Sequence, residues 1–164
     1  MEKKYSLSFD QLSKLLSSIV FLAVIVGLVF VVLDYFSGNL AKDNTKGLVV
    51  TALIFLIIIV YAFSPKYYST SKNSIFITTP SKKIEILKKD INDVVLLDNH
   101  SSFKRLKLFS SGGLFGYIGY YIIPNYGRVF SYASRLDNQI LILTDNNKYI
   151  ISPDDLSMID EIKN

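Results

Sequence analysis

The chain has 164 residues, with 18 Lys and Arg against 14 Asp and Glu, one His and no Cys. That length holds one small domain beyond any membrane segment. The composition leaves no disulfide, thiolate metal site or cysteine nucleophile, and a single histidine makes a Ser-His-Asp relay or a multi-histidine metal centre unexpected. Hydrophobic residues make up 50% of the chain and mean hydropathy is +0.33, but the apolar excess lies before residue 64.

Two apolar runs fill the first third. The first, Leu15 to Phe36, carries no charge before Asp34, and the second, Gly47 to Phe63, carries none. At 1.5 Å per residue they reach ~33 and ~25 Å, against a hydrocarbon core of ~30 Å, so both read as transmembrane helices. Tyr61, Phe63, Tyr67 and Tyr68 are suited to the interface. The polar connection Ser37–Lys46 turns the chain back. Lys3 and Lys4 precede a long apolar stretch with no A-x-A-like site after it, which favours an uncleaved anchor over a signal peptide. Lysines flank the outer ends of the hairpin (Lys3, Lys4, Lys14, then Lys66, Lys72, Lys82, Lys83), while the connection holds Lys42 and Lys46. That bias places both termini in the cytoplasm. Ala23 with Gly27, and Gly47 with Thr51, stand four apart, a spacing that permits close helix packing inside the hairpin or between copies.

From residue 65 the pattern changes to short runs broken by turn residues. Strands are expected at Tyr67–Ser71, Ser74–Thr78, Lys83–Leu87, Ile91–Leu97, Phe103–Phe109, Tyr117–Ile123, Arg128–Ala133, Gln139–Thr144 and Lys148–Ser152. Arg105 and Lys107 alternate with Leu106 and Leu108. Gln139–Thr144 is apolar on both faces and reads as a central strand, with a tight connection at Asp145-Asn146-Asn147. Ser152-Pro153-Asp154-Asp155 has the form of a helix start, with Ser152 as N-cap, and Leu156, Ile159 and Ile162 supply an apolar stripe after it. The capping position accounts for the Asp154/Asp155 pair better than catalysis does. The region is therefore a β sandwich or barrel closed by one C-terminal helix.

The segment 112–121 repeats glycine among aromatics. It lacks the Gly-Lys-Ser/Thr ending of a P-loop and does not match G-x-G-x-x-G. Gly113, Phe115, Gly116, Tyr117 and Gly119 are read first as a bend or bulge with close strand approach, and second as an aromatic loop that touches a membrane or a partner. His100, between Asn99 and Ser101, reads as an exposed turn residue.

The hairpin followed by Gly-Gly-Leu-Phe-Gly-Tyr-Ile-Gly-Tyr (112–120), Gly127, Tyr132-Ala133-Ser134-Arg135 and Tyr149-Ile150-Ile151-Ser152-Pro153-Asp154-Asp155 resembles the bacterial pleckstrin-homology-like (PH) domain family across most of 65–164. The resemblance implies a bent sandwich of about seven strands capped by a C-terminal helix. It also implies a non-enzymatic bacterial protein; with the hairpin, the expected location is the inner membrane, and no cofactor is expected. Phosphoinositide-binding relatives carry a Lys…Lys/Arg-x-Arg pattern around the first hairpin, where this chain offers Lys72 alone, so that function does not carry over.

Lys and Arg outnumber Asp and Glu by 11 to 4 over 64–135, and are outnumbered 2 to 6 thereafter. Two functions follow as expectations, and neither involves nucleic acid. One is a membrane-anchored interaction module that binds a protein partner or self-assembles. The other is weak binding of anionic lipid through Lys82, Lys83, Lys88, Lys89, Lys104, Arg105 and Lys107. An ion path is not expected from two helices without intramembrane charge.

Overall fold

A computed structural model describes residues 2–37, 45–97 and 106–163. Helices α1 (Gln11–Phe36) and α2 (Thr45–Phe63) form an antiparallel hairpin. Asp10 caps α1, its carboxylate accepting from the Ser13 amide at 2.8 Å, so the helix starts four residues before the apolar run. Both helices are long and apolar enough to cross a membrane, and 6% of the most apolar stretch of each is buried. Leu22, Phe30 and Ile58 all point outward. The buried pair Val24 and Val50 marks the contact between the helices. A Cβ on Gly27 would lie 2.8 Å from Val50 Cγ2, so the small residue at 27 serves packing within the hairpin. Near the connection Lys46 and Asp34 form an ion pair at 2.7 Å.

Ten strands are present among the described residues, against the seven that the resemblance implied. Nine are the runs read from the sequence: β2 (Tyr67–Thr70), β3 (Ser74–Thr78), β4 (Lys83–Leu87), β5 (Ile91–Leu97), β6 (Leu106–Ser110), β7 (Tyr117–Ile123), β8 (Gly127–Ala133), β9 (Gln139–Thr144) and β10 (Lys148–Ile151). The tenth, β1 (Lys3–Tyr5), comes before the hairpin. It pairs antiparallel with β2, after the hairpin, in the register Lys3↔Thr70 and Tyr5↔Tyr68. Lys-Lys-Tyr reads in sequence as a basic flank, and only the pairing makes it a strand.

The strands form a four-stranded sheet in the order β1-β2-β3-β4 and a six-stranded sheet in the order β5-β9-β10-β8-β7-β6. β10 runs parallel to β8, and every other pair is antiparallel. Two sheets closed by a helix are consistent with the expected PH-like sandwich. Strand alternation sends side chains of β9 to both faces. Ile140 and Ile142 meet Tyr68, Ile75, Ile77 and Ile86 of the smaller sheet in one core. Leu141 joins Ile150, Val129 and Tyr121 in a second core on the other face. This double burial is why Gln139–Thr144 lacks a polar face.

The first core is closed by Met158 and Ile162 of helix α3 (Met158–Lys163), with Leu156 and Ile159 packed against it. The expected stripe is therefore in place, but α3 starts later than its capping signature. Ser152 is not an N-cap. Its buried hydroxyl accepts from the amides of Ser134 at 2.8 Å and Arg135 at 3.3 Å. Asp155 takes the capping part, its carboxylate accepting from the amide and hydroxyl of Ser157 at 2.9 and 2.8 Å. Those bonds hold its carboxyl below the usual carboxylate range. The expected alternation on β6 does not give one buried face: Leu106, Lys107, Leu108 and Phe109 are all exposed, and the register shifts between Lys107 and Phe109. His100, Lys104 and Arg105 lie outside the described residues.

Candidate functional site

The glycine-aromatic segment meets the base of the hairpin. Ser13 and Ser17 stand one turn apart, on one face of α1. Serine hydroxyls inside helices commonly bond back to their own backbone. Here they accept from the domain instead. The Gly116 amide donates to Ser13 Oγ at 3.0 Å, and the Phe115 amide donates to Ser17 Oγ at 3.1 Å. The Tyr117 hydroxyl donates to Asp10 at 2.8 Å. Burial, and then the nearby Asp10 carboxylate, push the Tyr117 phenol well above its ordinary value. Asp10 thus caps α1 with one oxygen and fastens it to β7 with the other.

The loop that presents these amides is set by its glycines. Gly113 and Gly116 have φ of +113° and +103°, a region that disfavours side chains. A Cβ on Gly116 would stand 2.7 Å from the Ala133 carbonyl oxygen. The Ser111 hydroxyl closes the loop by donating to the Gly116 carbonyl at 2.6 Å and accepting from the Ile118 amide at 3.1 Å. At its tip Phe115 has φ +51°, and its ring is held edge-on by Phe21 of α1 at 5.7 Å and Tyr61 of α2 at 5.6 Å. One residue therefore touches both helices. Edge-to-face pairs of this kind contribute ~0.5–1.5 kcal/mol each beyond their buried area.

Because Phe21 and Tyr61 meet the same ring, they lie at one level. The first turns of α1, with Ser13 and Ser17, run alongside the domain. The remaining stretch from Ile19 to Phe36 measures ~27 Å, close to the ~28 Å of α2. The segment before α1 is also fastened down. Ser8 donates through its amide and hydroxyl to Asp154 at 3.0 and 2.6 Å. Arg135 pairs with that carboxylate at 3.2 Å, and the Ser134 hydroxyl donates to the Ser8 carbonyl at 2.7 Å.

Gly113, Phe115, Gly116 and Tyr117 thus converge on the hairpin base, while Gly119 sits one step along β7 against β6. Tyr61, read from the sequence as an interface residue, completes the junction with Asp10, Ser13, Ser17 and Phe21, which were not singled out from the sequence. Their one signal was a pair of serines four apart at the head of an apolar helix.

The described basic residues do not form one surface. Lys82 lies over the Phe63 ring at 5.4 Å, beside the end of α2. Lys83 pairs with Glu2 at 3.1 Å. Lys88, which donates to the Glu161 carbonyl, and the exposed Lys89 lie beyond the other end of β4, a five-residue strand of ~17 Å. Lys107 is on the edge of the other sheet. No three His, Asp or Glu side chains converge as metal ligands among the described residues.

Compared with known proteins, the chain matches the family profile described as "Bacterial PH domain" over residues 66–163. No curated protein and no solved structure matches it.

Proposed function

The chain belongs to the bacterial PH domain family, and from that premise we propose that it is a non-enzymatic, membrane-anchored interaction module. In this reading the hairpin spans the bacterial inner membrane twice. The β domain rests at the cytoplasmic face, where it takes a protein partner or a second copy of itself. The observation that carries the reading is the exposure of the hairpin. A core helix of a soluble protein would be mostly buried, whereas 6% of the apolar stretch of each helix is covered, while the base is bonded to the domain. The carboxylates of Asp154 and Asp155 are occupied by structural hydrogen bonds, which favours a binding role over an acid/base one. β6, with Leu106, Leu108 and Phe109 exposed, forms an edge of the larger sheet, and such an edge can accept an added strand.

Alkaline carbonate extraction should leave the chain in the membrane. A Cys at Asn44 should react with an impermeant maleimide in whole cells, and one at Asn146 should not. Release by carbonate, or the reverse labelling, would overturn the anchor or its orientation. Purification from native membranes should bring a stoichiometric protein or a self-crosslinked pair, and a lone monomer would count against the interaction role. The alternative, weak anionic-lipid binding through the scattered lysines, would give vesicle binding that fades as salt rises.

A further inference from the structure

A groove of about 1190 Å³ lies between α2 and the larger sheet. One wall is the last turns of α2, with Leu56, Ile59 and Phe63. The floor is aromatic, with Tyr120 and Phe130 packed edge to face at 4.7 Å. Among the described residues, the ionisable cations of the lining are Lys82, Arg128 and Lys148, and no Asp or Glu lines it. None of the three pairs with a carboxylate among the described residues. Each is nonetheless held in place. The Arg128 guanidinium lies 4.0 Å from the Tyr120 ring centre. Lys148 Nζ donates to the Tyr126 carbonyl at 2.5 Å, and Lys82 lies over Phe63. Arg128 shares its face of the larger sheet with Phe130 and, across the parallel pairing of β8 and β10, with Tyr149, whereas Lys148, one residue before Tyr149, turns its side chain to the face of the second core.

Positive charge fixed over an aromatic floor, with no acid to balance it, suits an anion attached to an apolar body. An inorganic anion would leave the apolar wall and floor uncovered. A zwitterionic lipid would bring a second positive charge to the cationic end. We propose that this groove seats an anionic phospholipid, with its phosphate at Arg128 and its acyl chains along α2. The proposal rests on the hairpin lying in a membrane. It does not reduce to the scattered basic surface considered above, because α2 lies outside the matched residues 66–163 and the groove has one wall without it.

The test uses the full chain, purified in mild detergent and depleted of lipid, then offered mixed micelles of phosphatidylglycerol or phosphatidylcholine. Native mass spectrometry should show phosphatidylglycerol retained at least tenfold more than phosphatidylcholine, and inorganic phosphate should not displace it. Arg128→Gln should abolish the preference at an unchanged lipid-free Tm, while Lys72→Gln with Lys89→Gln should keep it. Arg128 is exposed, so its replacement leaves the core packing intact. Equal retention of the two lipids, displacement by phosphate, or an unaltered preference in the Arg128 variant would overturn the seat. Carbonate extraction of the same proteins separates the two readings: a chain that leaves the membrane defeats the anchor, whereas an integral chain without lipid preference defeats the seat alone.

Discussion

Gly119 has φ +131°, and a Cβ there would lie 2.1 Å from the Phe109 carbonyl oxygen and 2.7 Å from Ser110 Cα. Backbone cannot yield as a side-chain tip can, so Gly119→Val should abolish the β6–β7 pairing. The expected outcome is loss of folded, protease-resistant protein rather than a folded protein with altered binding. Ser152→Ala acts through a different physical cause. It leaves the buried Ser134 amide, and the half-buried Arg135 amide, without their shared acceptor, which costs ~1–3 kcal/mol. Thermal unfolding of the full chain in detergent should show a lowered Tm, and an unchanged Tm would remove Ser152 from this network. The loss resembles that of a helix cap in size, yet α3 itself should persist, because Asp155 and Ser157 hold its start.

At the scale of elements, the docking of α1 on the 111–117 loop makes a selective prediction. Ser13→Ala with Ser17→Ala removes the hydroxyl acceptors of the Gly116 and Phe115 amides and leaves Gly116 only its longer bond to the Gly113 carbonyl. Hydrogen exchange at those two amides should accelerate, while the amides of β9 remain protected. Uniform acceleration would mean that the junction is no separate unit. The elements also show what was legible beforehand. Ser74–Thr78, Lys83–Leu87, Ile91–Leu97, Tyr117–Ile123 and Gln139–Thr144 have the same ends in sequence and structure, because turn residues bound them and packing agrees with local pattern. α3 was misplaced because the local capping signal at Ser152 lost to tertiary hydrogen bonds. β1 was missed because three residues carry no period. In the junction the glycines were visible through their composition. Their helical partners were not, since a serine that binds another element looks like any serine near a helix end.

Across the whole molecule, several tyrosines are held neutral by burial. The phenols of Tyr68, Tyr117 and Tyr149 are raised, and that of Tyr132 is pushed up to about 12. The fold favours the protonated form, so their contribution is complete below the ordinary tyrosine value of ~10 and is lost as pH rises through about 12 for Tyr132. Tm should be flat from neutral pH to ~10 and then fall, and phenolate absorbance should lag free tyrosine. Full ionisation near pH 10 with the fold intact would contradict this. The order of elements along the chain has one more outcome, for anyone who cuts it. A fragment that starts at Ser64 keeps the matched family region but lacks Lys3–Tyr5. It bares the β2 edge and leaves a vacancy where Tyr5, 2% exposed, fills the core. The hairpin is a cassette spliced between two neighbouring strands. The cleaner surgery therefore keeps residues 1–9, bridges them to Ser64 with a short Gly/Ser linker and discards what lies between. That chain should stay soluble without detergent, and the simple truncation should precipitate. Equal behaviour of the two in size-exclusion chromatography would show that the first strand is dispensable.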